Sequence, residues 1–284
     1  MTATKTTAAE FVRQAKDLPV MPPVAAEVMR RAEDPDSDLR GMTNLISRDA
    51  SLAVRVLKIA NSSFYSMPRK IESIQQAIVL LGYSTLRSVV VAASIKDVFA
   101  RYGLSERLLW EHAIAAACAA SSLAERIGGF APDEVFVGGL VHDVGKLVMH
   151  AESERRYQDV MRAVYAEEKS SVQAEIEVFG FDHAEVGQLL LAKWGLPERL
   201  VSAVGAHHDL ERSQEVEGAR PLASLLEVSD RIALHEGHGR RKANPELAIF
   251  DGFGGKALRL RAEDADAVLE DFRAQYTREK GIFG

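Results

Sequence analysis

Apolar residues recur at every third or fourth position along almost the whole chain, and Gly, Pro or Asp-Pro steps interrupt the pattern at intervals. This spacing puts apolar side chains on one face of an α-helix, whereas the strict alternation typical of a strand is scarce. Helix starts are marked as well: Ser37 or Asp38 can cap one helix, Asp49 the next, and Asp182 with Glu185 forms a variant of the capping box. The sequence therefore predicts an all-α protein.

Length, charge and cysteine content limit the class of protein. With 284 residues, 47% of them hydrophobic, the chain can bury a real core as one large domain or two coupled lobes. A net charge of −6, with no basic run longer than Arg240-Arg241-Lys242, disfavours nucleic-acid binding. Cys118 is the single cysteine, which excludes an internal disulfide and fits a reducing cytoplasm. No apolar run reaches the ~18 residues of a membrane span. We expect a cytoplasmic protein without membrane contact.

The stretch LVHDVGK sets His142 beside Asp143 inside an apolar run, with Lys146 three residues after the aspartate. The pattern predicts one helix through PDEVFVGGLVHDVGKLVMH, opening at Pro132. Adjacent residues of an α-helix diverge by ~100°, so both side chains reach one metal only if it lies at the edge between their faces. Other helices must then supply the remaining ligands. Lys146 has three interpretations: it meets a phosphate group, it pairs with Asp143, or it is solvated.

The required side chains are present on other predicted helices. Taken alone, His112 would more often be a hydrogen-bonded core residue, and Asp230 would pair with Arg231 or a serine. Taken together, imidazoles and carboxylates suit Fe, Mn, Zn or Ni, and bridging aspartates suit two-metal sites that activate water for attack on phosphorus. The other histidines, at polar helix ends, receive no role: His150, His235 and His238. The candidate metal ligands are His112, His142, Asp143, His183, His207, His208 and Asp230.

These motifs resemble two related families. HDVGK, with one histidine upstream and further histidines and an aspartate downstream, is similar to the HD superfamily of metal-dependent phosphohydrolases. A sharper resemblance, to the HDOD (HD-related output domain) family, covers about residues 11–237. It is carried by LPVMPPVAAEVM, LISRDASLAVRVLKIANSSFYS, KIESIQQAIVLLGYSTLRSVVVAAS, LVHDVGKLVM, GFDHAEVGQLLLAKWGLPERL and GAHH. It implies an all-helical HDOD fold, with an N-terminal helical lobe packed on an HD-like lobe, and a role in bacterial signal transduction.

The resemblance and the punctuation of the chain together predict three segments. An N-terminal helical lobe covers residues 1–103, with its boundary in RYGLS, and an HD-like helical lobe covers 104–240. Residues 241–284 form a C-terminal extension beyond the family resemblance. Its amphipathic helix has Ala265, Val268, Leu269 and Phe272 at helical spacing, so we expect it to dock on the body of the protein.

The resemblance also implies that the HD metal pattern is complete here, with Lys146 in the phosphate-facing position. Many HDOD members lack part of that pattern and act as regulatory or interaction modules. The HD-GYP family, which cleaves cyclic di-GMP, carries Gly-Tyr-Pro after its paired histidines, whereas HHDLERSQEVEGARP has no such triplet. Leu108 replaces a glutamate that some of those enzymes use for a third metal. We therefore expect at most a one- or two-metal site.

Two functions follow as expectations. The first, favoured by the HDOD resemblance, is a regulatory protein whose HD-like lobe holds a metal or a nucleotide-like ligand and whose helical surfaces bind a signalling partner. The second is a metal-dependent phosphohydrolase or phosphodiesterase. In that case Asp143 would bridge the metals, a metal-bound hydroxide would attack phosphorus, and Lys146 would steady the phosphoryl oxygens.

Overall fold

The computed structural model describes residues 6–16, 18–32, 34, 37–62, 65, 68–99, 104–213, 215–239 and 242–283. Within these ranges the regular structure is helical and includes no strand. The all-α prediction is therefore confirmed. The predicted segment boundaries near residues 103 and 240 fall outside the described residues.

The N-terminal part of the chain forms helices that pack around one long, bent helix. Asp38 and Asp49 accept hydrogen bonds from backbone N–H groups in the first turns of α3 and α4, as the sequence predicts. Helix α5 bends at Gly82, whose φ of 77° is a left-handed conformation that suits glycine. Helices α2, α3 and α4 pack against α5. Within the described residues the helices of this part are α1 (Ala8–Gln14), α2 (Pro23–Ala32), α3 (Leu39–Ser47), α4 (Ala50–Ala60) and α5 (Ile74–Phe99).

The bend in α5 separates two apolar arms, and this bears on whether the helix could span a membrane. Among the described residues, no single helix combines the length and the apolar character needed to cross a membrane. The two arms of α5 are Ile74–Tyr83 and Thr85–Ile95, with a bend of 118° between them. Only when both arms are counted together do their length and composition match those of a membrane span.

The second part of the chain builds a helical lobe around α6, whose alanine-rich run is buried. Helices α7 and α13 pack on α6, and α11 packs on α8 and α12. The capping box predicted at Asp182 and Glu185 is confirmed at the start of α11. The helices are α6 (Leu104–Ile127), α7 (Pro132–Val141), α8 (Val144–Glu152), α9 (Glu154–Ala166), α10 (Ser171–Phe179), α11 (His183–Lys193), α12 (Glu198–Ala206) and α13 (Ala219–His235), with a 3₁₀ helix at Leu210–Ser213.

The two lobes share one continuous hydrophobic core. Helix α5 packs on α6 and α7, while the first helix of the chain crosses to the second lobe and packs on α11. There the Phe11 ring lies 5.8 Å from the ring of Phe179 and 5.1 Å from that of Phe181. The indole of Trp194 donates a hydrogen bond to the Pro19 carbonyl at 3.1 Å. These contacts fix the N-terminal lobe against the candidate site's supporting helices.

The sequence pattern predicts one helix through PDEVFVGGLVHDVGKLVMH, and this prediction is wrong. The chain breaks between α7 and α8 at His142 and Asp143, where Asp143 has φ −97° and ψ 6°. These angles lie in the bridge region rather than the helical region. The break removes the divergence expected of neighbouring residues on one continuous helix. Both side chains can therefore face the same buried centre.

The C-terminal extension docks on the second lobe, as its amphipathic pattern predicts. Helix α14 (Phe253–Ala257) packs on α13, a 3₁₀ turn follows at Ala262–Asp264, and α15 (Ala265–Phe283) packs along α6. Val268, Leu269 and Phe272 are buried in this contact.

Candidate metal centre

The seven predicted ligands converge on one buried region of the second lobe. They come from separate elements, which lie side by side around the break between α7 and α8. All are buried except His208, which is partly exposed. Their positions are His112 on α6, His142 and Asp143 at the break, His183 in the first turn of α11, His207 and His208 at the end of α12, and Asp230 on α13.

The first group of ligand atoms lies between α6, the break and α13. Nε2 of His112 is 3.3 Å from Nε2 of His142 and 3.0 Å from Oδ1 of Asp230. Oδ2 of Asp143 lies 3.5 Å from the His112 nitrogen and 3.6 Å from the His142 nitrogen. Two imidazoles and two carboxylates therefore surround one point.

The second group lies between the break, α11 and the end of α12. Nε2 of His183 is 3.0 Å from Nε2 of His208 and 2.9 Å from Oδ1 of Asp143. The ligand atoms of His183, His207 and His208 all lie within 4.8 Å of one another. Asp143 thus directs one oxygen to each group, which is the arrangement required of a bridging carboxylate.

Hydrogen bonds from Nδ1 fix the tautomer of four of these histidines. A carbonyl or carboxylate oxygen accepts, so each Nδ1 carries the hydrogen and each Nε2 of the neutral ring keeps a lone pair directed at the centre. The acceptors are the carbonyl oxygens of His238 for His112 (3.1 Å), Gly139 for His142 (2.7 Å) and Val204 for His207 (2.6 Å), and the Glu175 carboxylate for His183 (2.6 Å).

The facing lone pairs require a positive charge between them. For two of the rings a proton can serve: burial lowers the pKa of His112 and His183, but the carboxylates around them outweigh burial and raise both, to about 9 for His183. For His207 a proton cannot serve, because burial and the neighbouring His142 and His183 lower its pKa to about 3. Its Nε2 is buried and has no hydrogen-bond partner among the described residues. An unpartnered neutral imidazole nitrogen in such a cluster fits a metal ion.

Lys146 forms an ion pair with the shared aspartate, in line with one of its three interpretations. Its Nζ donates to Oδ2 of Asp143 at 2.6 Å. Burial lowers the pKa of Lys146, but Asp143, Glu175 and Asp230 together outweigh burial, so the pKa is raised and the ammonium stays charged. Burial likewise raises the pKa of Asp143, and Lys146 together with the imidazoles brings it well below the usual range. The centre therefore holds its carboxylate ionised.

A cavity of about 460 Å³ opens directly onto this centre. One side of it is formed by centre residues, including Asp143, Lys146 and His208. Part of the lining comes from α9 and is apolar, with Val160, Met161 and Val164. A small ligand in this cavity would have a polar end against the His/Asp cluster and an apolar surface beside α9.

Glu175 belongs to the site but is not among the residues predicted from the sequence. It is completely buried on α10, and its Oε2 accepts hydrogen bonds from both the Nδ1 and the backbone N–H of His183. The one available signal is a glutamate on the apolar face of SVQAEIEVF, eight residues before His183. No short motif relates the two positions, since the loop between α10 and α11 brings them together.

Glu175→Gln is expected to weaken metal binding at His183 by about tenfold or more, the range typical of a lost carboxylate behind a ligating histidine. A proton competes with metal for His183 below its pKa of about 9, so affinity in the natural chain should rise with pH through neutrality. Without the Glu175 charge the pKa of His183 falls. In the variant, metal affinity should therefore stop rising at a lower pH than in the natural chain. Calorimetric titration with Zn²⁺ between pH 6 and pH 9 measures both effects.

Glu177→Gln is the matched control. Glu177 lies two residues away on the same helix but is exposed and pairs with Lys169 at 2.6 Å. Its replacement should leave the pH profile of metal binding unchanged. Identical profiles for the two variants would contradict the role of Glu175.

The sequence and the fold are similar to those of known proteins. The HDOD domain model matches residues 18–210. An uncharacterized protein of Treponema pallidum (strain Nichols) is 26% identical over 282 residues, which make up 95% of this chain and 53% of that protein. The chain therefore spans about half the length of that relative.

Two solved structures share the whole architecture. An HDOD domain protein with unknown function from Geobacter sulfurreducens superposes with a TM-score of 0.75 at 28% identity, covering 95% of this chain and 96% of that one. A candidate phosphohydrolase from Shewanella amazonensis SB2B gives a TM-score of 0.72 over 98% and 97% of the two chains, and at 23% identity this likeness shows the fold alone. Because the family model covers more than half of the sequence and the fold matches a solved member, the chain belongs to the HDOD family.

Proposed function

We propose that this chain is a metal-binding signalling protein, in which the HD-like lobe holds one or two divalent transition metal ions. The observation that carries the proposal is the buried, neutral Nε2 of His207, which has no hydrogen-bond partner in the described part of the chain and lies within 4.8 Å of other ligand atoms. Leaving such a nitrogen without a partner costs about 1–3 kcal/mol, which coordination would recover. Nitrogen and oxygen donors in this mixture suit Fe, Mn, Zn or Ni.

The chain's own residues divide the work of such a site. Asp143 offers one oxygen to each group, and Lys146 offsets part of the negative charge that the aspartates contribute. Glu175 and three backbone carbonyls hold the imidazoles in the ligating tautomer. A bound metal would supply Lewis acidity and an attraction for anionic ligands at the floor of the cavity.

A signalling role is supported by family membership together with the cavity above the centre. About 460 Å³ is enough for a small phosphate-bearing, nucleotide-like ligand, whose anionic end would meet the metals and Lys146. A signalling partner that binds the helical surfaces of the protein would then respond to whether the cavity is occupied. The ligand in this proposal is sensed rather than consumed.

A second candidate function, metal-dependent phosphoester hydrolysis, is favoured by the geometry of Asp143. Its Oδ1 lies 2.9 Å from the second group and its Oδ2 3.5 Å from the first, as a bridging ligand between two metals would need. Two-metal sites of this kind can stabilise both the attacking and the leaving oxygen at phosphorus. Lys146 is close enough to the cavity to contact a phosphoryl oxygen.

Metal removal tests the proposed function first. Protein purified without a polyhistidine tag should carry transition metal by mass spectrometry, and chelation should lower its melting temperature. Restoring a metal at 100 times its dissociation constant should stabilise the fold by about 2.7 kcal/mol. His207→Ala should lower this gain, because it removes a ligand of the second group, whereas His150→Ala, a histidine outside the centre, should keep it. A metal-free protein indifferent to chelator and added metal would refute the proposal.

Turnover of bis(p-nitrophenyl) phosphate with added Mn²⁺ or Fe²⁺ separates the two candidates. Hydrolysis that is lost in His142→Ala would favour the enzyme. Metal binding without hydrolysis would favour the sensing role.

A further inference from the structure

We propose that helix α15 sets the affinity of the metal centre, by holding the turn that orients His112. This inference rests on the proposed metal binding. Helix α15 lies beyond residues 18–210, which the family model matches, and it contributes no ligand of its own. Its role is that of a positioning element, and Arg273 is its main positioning residue.

The first link joins His112 to the turn at residues 236–239. Nδ1 of His112 donates to the carbonyl oxygen of His238 at 3.1 Å, which orients the ring and leaves Nε2 for the centre. Gly239 then passes so close that an added Cβ would lie 2.5 Å from Cβ of His112. Gly237 and Gly239 have φ of 86° and 78°, which glycine adopts without strain. The turn therefore lies directly against the ligand.

The second link joins the same turn to α15. Arg273 donates from Nε and Nη2 to the two carboxylate oxygens of Glu236, at 2.9 Å and 2.7 Å. The ring of His238 lies 4.3 Å from that of Tyr276 and 5.9 Å from that of Phe272. A two-point ion pair fixes both distance and direction. Helix α15 thus holds the turn at Glu236 and at His238, the residue whose carbonyl oxygen His112 uses.

The consequence for metal binding follows from the order of these contacts. Helix α13 anchors the turn from the inside, through hydrogen bonds from His238 N–H to Ala233 and from Gly237 N–H to Leu234. Helix α15 holds its outer face, so loss of the Arg273 contact frees the His238 carbonyl to move. Loss of a partner behind a ligating histidine costs about 10- to 100-fold in affinity. Because Arg273 acts through the turn, we expect an effect near the lower limit, about tenfold.

The test compares two ion pairs that tie α15 to the body. Arg273→Ala breaks the pair with Glu236, whereas Arg126→Ala breaks the pair with Asp271, formed at 2.6 Å between α6 and α15 away from the turn. Both arginines are substantially exposed, so both variants should fold. The 284-residue chain carrying His208→Ala, which leaves the first ligand group complete, is titrated with Co²⁺ and followed by absorption and calorimetry.

Arg273→Ala should weaken Co²⁺ binding about tenfold and change the ligand-field spectrum, while Arg126→Ala should alter neither. Arg273→Lys, which can keep one hydrogen bond to Glu236, should restore part of the affinity. Glu236→Gln provides a second way to weaken the same contact and should behave like Arg273→Ala. Equal affinities and spectra for Arg273→Ala and Arg126→Ala would overturn the inference. Absence of Co²⁺ binding in the unsubstituted chain would instead overturn the proposed function.

Discussion

Gly145→Ala is expected to destabilise the fold by about 3 kcal/mol or more and to displace His183. A Cβ added at Gly145 would lie 2.0 Å from the carbonyl oxygen of His183 and 2.7 Å from the backbone nitrogen of Gly187. Both obstacles are backbone atoms, so the clash cannot be relieved by rotating a side chain. Helices α8 and α11 would have to separate, and Asp143 and His183 would separate with them.

The facing glycine provides the matched control for this prediction. A Cβ at Gly187 would lie no closer than 3.4 Å to any neighbour, which is ordinary contact. Alanine inside a helix is favoured over glycine by up to about 1 kcal/mol, so Gly187→Ala should be neutral or stabilising. Urea unfolding of the two variants measures the difference. Similar midpoints would show that the two helices are not held at this distance in solution.

The helices of this protein could be predicted because their signals are local. Asp49 caps α4 and Asp182 caps α11, and each acts on backbone N–H groups within three residues of itself. The buried positions of α15 follow from spacing along one helix in the same way. An apolar stripe and a cap are properties of neighbouring residues, so the sequence carries them directly.

The break inside the HDVGK motif could not be predicted from periodicity. Leu140, Val141, Val144 and Leu147 keep the spacing of one helix face across the motif, and all are buried. The break depends on the approach of α8 to α11, where Gly145 removes the side chain that would hold them apart. That approach is a tertiary contact, and it overrides the local pattern.

The hydrogen-bond acceptors that orient the candidate histidines were still harder to predict from the sequence. Gly139, Val204 and His238 contribute carbonyl oxygens, a group that every residue has, so residue identity gives no signal. Candidate ligands can be named from the sequence because imidazoles and carboxylates are rare on apolar helix faces. The distances between them, and the choice among the three interpretations of Lys146, depend on how the helices pack.

Asp143→Ala is expected to abolish metal binding at both groups and to destabilise the metal-free fold by about 3 kcal/mol. Asp143 lies close to both sets of imidazoles, at 2.9 Å from His183 and 3.5 Å from His112. Its removal also leaves the ammonium of Lys146 without its partner at 2.6 Å, and that side chain is only 13% exposed. An unpaired charge in such a position is more costly than the absence of the whole pair.

The double variant Asp143→Ala/Lys146→Met separates the loss of metal binding from the loss of stability. It removes the unpaired charge of Lys146 but still lacks the carboxylate shared by the two ligand groups. We expect the double variant to regain most of the lost stability, since a buried pair can be replaced by apolar side chains at little cost. It should still bind no metal. Denaturant unfolding of the metal-free proteins and metal titration of the same samples provide both measurements. If Asp143→Ala retained metal, Asp143 would not be the bridging ligand; if the double variant stayed as unstable as the single one, the loss would not arise from Lys146.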